Sequence, residues 1–176
     1  MENDEALYER LVGGDIGAFD LLYARYARPL FGFLCAQLRE PREAEDVLHE
    51  TFLALLRERD EGRQVRSFKP WVYQVARNLC LNRARSRKRA SRALAEVAGE
   101  PREGPAHPEQ QMDHCEQAVA LNRAVQTLPQ PLAEVYQLRA AGLSNEDLAH
   151  VLQVPVGTVK SRTHELVRRL REEMFR

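Results

Sequence analysis

Residues 143–162 hold two short helical patterns with a proline between them, and few arrangements other than two helices meeting at a turn satisfy that stretch. Ser144 and Asp147 have the spacing of a capping box, with aspartate in place of the usual glutamate, ahead of an apolar run. Leu148, Ala149 and Leu152 recur at helical spacing, and Ala149 is small where a second helix must cross closely. Val154-Pro155 ends the pattern, because a residue before proline avoids the helical region and proline is tolerated only in a first turn. A second helix is therefore expected from Pro155 or Val156. Its inner face is Val156, Val159, Thr163, Leu166 and Leu170, a 3-4-3-4 stripe. Thr158, Ser161, Arg162 and Glu165 share one outer side, with Lys160, His164 and Arg168 beside them. Short polar and cationic side chains at the start of such a helix suit a DNA major groove. The same pattern also occurs in an ordinary helical hairpin with a solvated charged face, so other parts of the chain must decide.

The 176 residues suffice for one domain or two small ones. Aromatic residues are few and β-branched runs are scarce, which points to an all-α chain. Lys plus Arg and Asp plus Glu balance at 26 each, yet the charge is unevenly spread. The first twenty residues are acidic, with Arg10 their only cation. Residues 83–92 hold Arg83, Arg85, Arg87, Lys88, Arg89 and Arg92 without one carboxylate. A neutral total thus conceals a basic patch suited to DNA. No apolar stretch approaches a membrane span, and the acidic amino terminus lacks the apolar core of a signal peptide. A cytoplasmic protein is expected. Cys35, Cys80 and Cys115 are scattered, which argues against a disulfide framework. His107, His114 and Cys115 lack a CxxC pair and a fourth ligand at zinc-site spacing, so no metal or other cofactor is expected.

A short helix is expected over 3–12, ending at Gly13-Gly14, with Asp15 or Gly17 opening a longer one. The longer helix carries Phe19, Leu22, Tyr23, Tyr26, Leu30, Phe33 and Leu34 as one stripe, and Pro29 should kink or tighten it. A third follows Pro41, with Ala44, Val47, Leu48, Thr51, Phe52, Leu55 and Leu56 inward. After a polar loop, Ser67 is placed to cap a fourth helix with Trp71, Val72, Val75, Ala76 and Leu79 inward. Four such stripes can bury one core. Gly99, Pro101, Gly104, Pro105 and Pro108 then break every period. The expected organisation is a four-helix domain over 1–92, a flexible linker over 93–112, and a smaller helical domain over 113–176. In the last, Val119, Leu121, Val125 and Leu128 precede a helix with Leu132, Val135, Tyr136, Leu138 and Arg139 that ends at Gly142.

Four motifs in this order resemble the extracytoplasmic-function class of bacterial RNA polymerase sigma factors, which keep only regions two and four. Ala44-Glu-Asp-Val-Leu-His-Glu-Thr-Phe52 resembles region 2.2. Phe68-Lys-Pro-Trp-Val-Tyr-Gln-Val-Ala-Arg-Asn-Leu-Cys80 resembles the region 2.3–2.4 helix. Leu128-Pro129 before Val135-Tyr-Gln-Leu-Arg139 resembles the start of region four, and Val154-Pro-Val-Gly-Thr-Val-Lys-Ser-Arg162 its recognition helix. The match covers nearly all of residues 15–172.

The resemblance implies partners and roles. Core RNA polymerase is met through its β′ clamp helices and β flap, with Glu45, Asp46, His49 and Glu50 on the β′ side. His49 stands where the family often has glutamine. For the minus-ten element it implies the loop residues Arg63, Arg66 and Ser67, then Gln74, Arg77, Asn78, Asn82 and Arg85 on the following helix. The loop captures a flipped base, which offsets an unstacking cost of about a few kcal/mol. Asn82 replaces a common aspartate. For the minus-thirty-five element it implies Thr158, Lys160, Ser161 and Arg162, with Arg168 and Arg169 near phosphates. Thr163 and Glu165 depart from the family's Leu-His-Arg text. An anti-sigma factor as a further partner, and a monomer when free, follow from the same resemblance. A transcriptional regulator with a sensor domain in front of the helix-turn-helix is the alternative, but it leaves the 83–92 cluster and the region 2.2 match without a role. An enzyme is disfavoured, since no Gly-rich phosphate loop, metal set or Ser/His/Asp arrangement is evident.

Overall fold

The structure, a computed structural model, describes residues 2–38, 40–61, 65–95, 125 and 127–174. Among these there are seven helices and no strand. The chain divides into two compact units, Met1–Pro108 and Glu109–Arg176. Residues 96–112 of the expected linker, with His107, His114, Cys115, Val119 and Leu121, lie outside the described residues.

In the first unit, α1 spans Asp4–Val12, α2 Ile16–Leu38, α3 Pro41–Asp60 and α4 Phe68–Ala95. Asn3 caps α1, its side-chain oxygen accepting the Ala6 amide at 2.7 Å. The helix closes at Gly13-Gly14 as the sequence predicts. The Asp15 amide donates to Arg10 and the Gly14 amide to Leu11, with Gly14 at φ +94°. That left-handed turn suits glycine, which has no Cβ to clash. Asp15 opens α2 by accepting the Gly17 amide at 2.9 Å. Pro29 sits within α2, which continues past it.

The core is Leu7 and Leu11 of α1, Leu22, Leu30 and Leu34 of α2, Val47 and Leu55 of α3, and Phe68, Val72 and Tyr73 of α4. Two expectations need correction. Phe19 is half-buried and Tyr23 exposed, and both rings lie at the rim against Phe52 of α3. The inner face of α4 is Phe68, Val72, Tyr73, Ala76 and Cys80, while Trp71, Val75 and Leu79 are half-buried beside it. Residues 68–81 are apolar on several sides at once, so their pattern leaves the rotational phase of the helix open. Ser67 takes the capping position, its carbonyl accepting the Trp71 amide. A side-chain acceptor comes from α1: the Phe68 amide donates to Glu5 at 3.2 Å. Asp4 accepts from both the Tyr26 hydroxyl and Arg25, which ties α1 to α2.

In the second unit, α5 spans Gln130–Ala140, α6 Asn145–Leu152 and α7 Val156–Met174. Val135, Leu138, Leu143, Leu148, Val151 and Val159 are buried between them. The end of α5 is a Schellman turn: the Leu143 amide donates to Leu138, the Gly142 amide to Arg139, and Gly142 has φ +77°. Arg139 then bonds Asn145 at the start of α6.

Candidate nucleic-acid interface

The turn between α6 and α7 is built as its sequence predicts. The Ser144 hydroxyl accepts the Asp147 amide at 3.1 Å, and Asp147 accepts the Ser144 amide at 3.0 Å. α6 closes through a second Schellman pair, Val154 to Ala149 and Gln153 to His150. Here the left-handed residue is Gln153, at φ 55°. Pro155 supplies the carbonyl that accepts the first α7 amides, Thr158 and Val159. Val159 and Leu166 are buried, while Val156, Thr163 and Leu170 of the expected inner stripe are half-buried.

The outer face of α7 differs between its two halves. In the first half Lys160 and Ser161 are exposed, and Thr158 and Arg162 partly so. Among the described residues, Lys160 and Arg162 have no ion pair or side-chain hydrogen bond. The Ser161 hydroxyl donates back to the Gly157 and Thr158 carbonyls at 3.1 Å, which leaves its lone pair as the outward function. In the second half the cations are tied. Glu165 accepts from Arg168 at 2.6 and 2.9 Å and from Arg169 at 2.7 Å. Arg168 also reaches Glu172 at 2.5 Å. The hydrogen bonds from Arg168 and then Arg169 hold the Glu165 carboxyl well below the ordinary range, at about 2.

The arginine cluster of α4 likewise divides. Gln74, Asn78, Asn82 and Arg85 follow one another at i, i+4, i+8 and i+11, a single helix face, with Lys88 and Arg89 continuing it. Asn78, Asn82, Arg85, Lys88 and Arg89 are exposed, and Gln74 and Arg77 partly so. Arg66 and Ser67 are exposed just before the helix, whereas Arg63 lies outside the described residues. Arg83 and Arg87 leave the patch expected over 83–92. Arg83 turns to α3, 2.5 Å from Glu50 and 3.8 Å from Asp46. Arg87 lies 2.9 Å from Glu43 Oε2, a charge contact without hydrogen-bond geometry.

Glu45, Asp46, His49 and Glu50 are all exposed on the outer face of α3. Leu53 continues that face and is 50% exposed, a large apolar side chain among charges. In the sequence only its i+4 spacing from His49 places it on this face.

Two family descriptions match the two units. Sigma-70 region 2 matches residues 22–90, and sigma-70 region 4 matches residues 118–170. The RNA polymerase sigma-H factor of Pseudomonas aeruginosa is 35% identical, over 92% of this chain and 88% of its own length. The ECF RNA polymerase sigma-E factor of Haemophilus influenzae is 32% identical, over 90% of this chain and 88% of its own. The chain belongs to the extracytoplasmic-function class of sigma-70 factors. Two solved structures share its fold. CnrH, solved in complex with the cytosolic domain of CnrY, has a TM-score of 0.67 at 24% identity, over 96% of this chain and 95% of CnrH. The sigma factor RpoE of Bartonella quintana, solved with the anti-sigma factor NepR, has a TM-score of 0.65 at 24% identity, over 89% and 96%.

In the terms of this sigma family, region 2 takes in most of α2, all of α3 and α4 as far as residue 90, and region 4 takes in α5, α6 and α7 as far as residue 170. The region 2 unit adds α1, which precedes the matched residues and supplies Leu7, Tyr8 and Leu11 to the core. Among the described residues no helix is long and apolar enough to cross a membrane.

Proposed function

We propose that this chain is an alternative sigma factor that joins core RNA polymerase, directs it to particular promoters and helps melt them. The observation that carries the reading is family membership spanning both units, together with two separate helix faces of polar and cationic side chains. On α4, Asn78, Asn82 and Arg85 face the minus-ten element, with Gln74 and Arg77 beside them and Arg63, Arg66 and Ser67 joining from the residues that precede the helix. On α7, Thr158, Lys160, Ser161 and Arg162 meet the minus-thirty-five element, and Arg168 and Arg169 lie on the phosphate side. A bidentate arginine contact to a guanine edge, the geometry proposed for Arg162, supports about 1–3 kcal/mol of discrimination. Glu45, Asp46, His49 and Glu50 dock on the β′ clamp helices, with Leu53 as an apolar anchor one turn beyond His49. The β flap is met by the region 4 unit. An anti-sigma factor holds the chain inactive until a signal releases it.

No step of this activity asks a side chain to make or break a covalent bond. The chain selects a DNA sequence and stabilises unstacked bases, and the polymerase performs the chemistry. Run-off transcription with purified chain and bacterial core polymerase tests the reading. Promoter-dependent transcripts are expected only when both are present. Absence of any such transcript, alongside tight operator binding by the chain alone, would overturn it in favour of a conventional regulator.

A further inference from the structure

Glu165 sits at the middle of the outward face of α7, one turn beyond Arg162 and in line with Thr158, Ser161 and Arg169. A lone carboxylate there would either read a base or repel a phosphate. Its oxygens do neither in this structure, because Arg168 and Arg169 take them up through three hydrogen bonds. The direction follows from helix geometry: an acid pairs best with a cation one turn towards the C-terminus. Arg162, one turn towards the N-terminus, is left without a described partner. Glu172 holds Arg168 from the other side.

We infer that Glu165 is a positioning residue that withholds Arg168 and Arg169 from DNA phosphates, so that α7 holds DNA mainly through its first half. The inference rests on the sigma-factor reading and deepens it. Two of the cations nearest the upstream element are neutralised within their own helix. To reach a phosphate, each must first leave Glu165, and the carboxylate it leaves then faces the DNA backbone. The sequence-independent part of the grip is lowered, while Lys160 and Arg162 remain available to bases.

Phosphate contacts register in the salt dependence of binding, each adding about 0.9 to the slope of log K against log salt. The experiment compares wild type, Glu165→Gln, and Glu165→Gln combined with Arg168→Gln and Arg169→Gln. Each full-length chain is assembled with core polymerase on a duplex selected by the wild-type holoenzyme and on that duplex with its upstream element scrambled. Glu165→Gln is expected to bind both duplexes more tightly and with a steeper slope. Lowering salt from about 200 to about 50 mM should strengthen its binding by roughly three- to twelvefold more than the wild type's, for one or two added contacts. The triple variant should return to the wild-type slope or below it. Three results overturn the inference while the sigma reading stands. One is an unchanged slope in Glu165→Gln. Another is a gain that survives in the triple variant, which would come from the carboxylate's own repulsion. The last is a loss confined to one base-pair position, which would make Glu165 a base reader. A wild-type holoenzyme that starts no transcript overturns the sigma reading and this inference with it.

Discussion

Among the described residues, Gln153 is the one non-glycine residue with a left-handed backbone. It occupies the left-handed region that Gly14 and Gly142 occupy at the corresponding turns of α1 and α5. A side chain there meets the following carbonyl, and glycine does not. Gln153→Gly is predicted to stabilise the region 4 unit by about 0.5–1 kcal/mol, net of the added freedom of the unfolded chain. Gly142→Ala is predicted to cost about 1 kcal/mol or more. Thermal unfolding followed by helical signal checks both, and a loss of stability in Gln153→Gly would show that its side chain contributes more than its backbone costs. Arg162→Ala is predicted to lose about 1–3 kcal/mol of discrimination at one position of the upstream element. Unchanged promoter selectivity in that variant removes Arg162 from the site. The Glu165 pairs carry a pH signature. A carboxyl with a folded value of about 2 and an ordinary value of 4.5 stabilises above 4.5 and loses that contribution as pH falls through 2. The pairs should therefore persist at pH 3–4, and a titration midpoint of about 4.5 for Glu165 by NMR would show that water separates them.

At the scale of the element, what the sequence shows depends on whether a helix has one apolar side or several. The capping box at Ser144 and Asp147 and the stop at Val154-Pro155 are local chemistry, and both are legible from neighbouring residues alone. The phase of α4 is not, because Trp71, Val75 and Leu79 make as good a stripe as Phe68, Val72 and Ala76. Only packing against the other helices of the unit decides, with Phe68 between Tyr8 and Tyr26 and Tyr73 against Phe33. The same open phase leaves the partition of the arginines undecided: Arg83 and Arg85, two residues apart, take opposite sides of the helix, and only packing shows that Arg83 is the one that faces α3. The α1 latch was equally hidden: its contacts from Asp4 to Tyr26 and from Glu5 to Phe68 join residues far apart in the chain. Asp4→Ala leaves the Tyr26 hydroxyl without its acceptor and is predicted to destabilise the region 2 unit by about 1–3 kcal/mol. On α3, Leu53→Ala is predicted to weaken the association with core polymerase by about 1 kcal/mol through lost apolar burial. Asp46→Arg should weaken it further while the fold persists. Wild-type retention of both variants by immobilised polymerase would remove this face from the interface.

For the whole molecule, alkaline pH separates burial from surface charge. Burial pushes the Tyr73 hydroxyl up to about 12 and raises Tyr8, and burial with the Asp4 hydrogen bond raises Tyr26. An acid whose folded value lies above its ordinary 10.0 stabilises the fold fully below pH 10, and that contribution is lost as pH rises through 12. The region 2 unit should therefore lose helix between pH 10 and 12, in step with tyrosinate absorbance. Tyr73→Phe should move that transition to higher pH, by up to about 2–3 kcal/mol of stability recovered at pH 12. An unmoved transition would assign the alkaline loss to other groups.

Val159 and Leu166 are the only buried residues described on α7, and the turn that aims the helix is held by backbone bonds and a proline. On the proposed reading, stability and promoter address thus rest on different residues of the same helix. Thr158, Lys160, Arg162 and Glu165 lie outside the buried core of the unit, so exchanging them is expected to leave its fold in place. That separation suits the chain to serve as a chassis for switches with chosen promoters, and it is the condition under which duplicated copies can diverge in target while keeping one architecture.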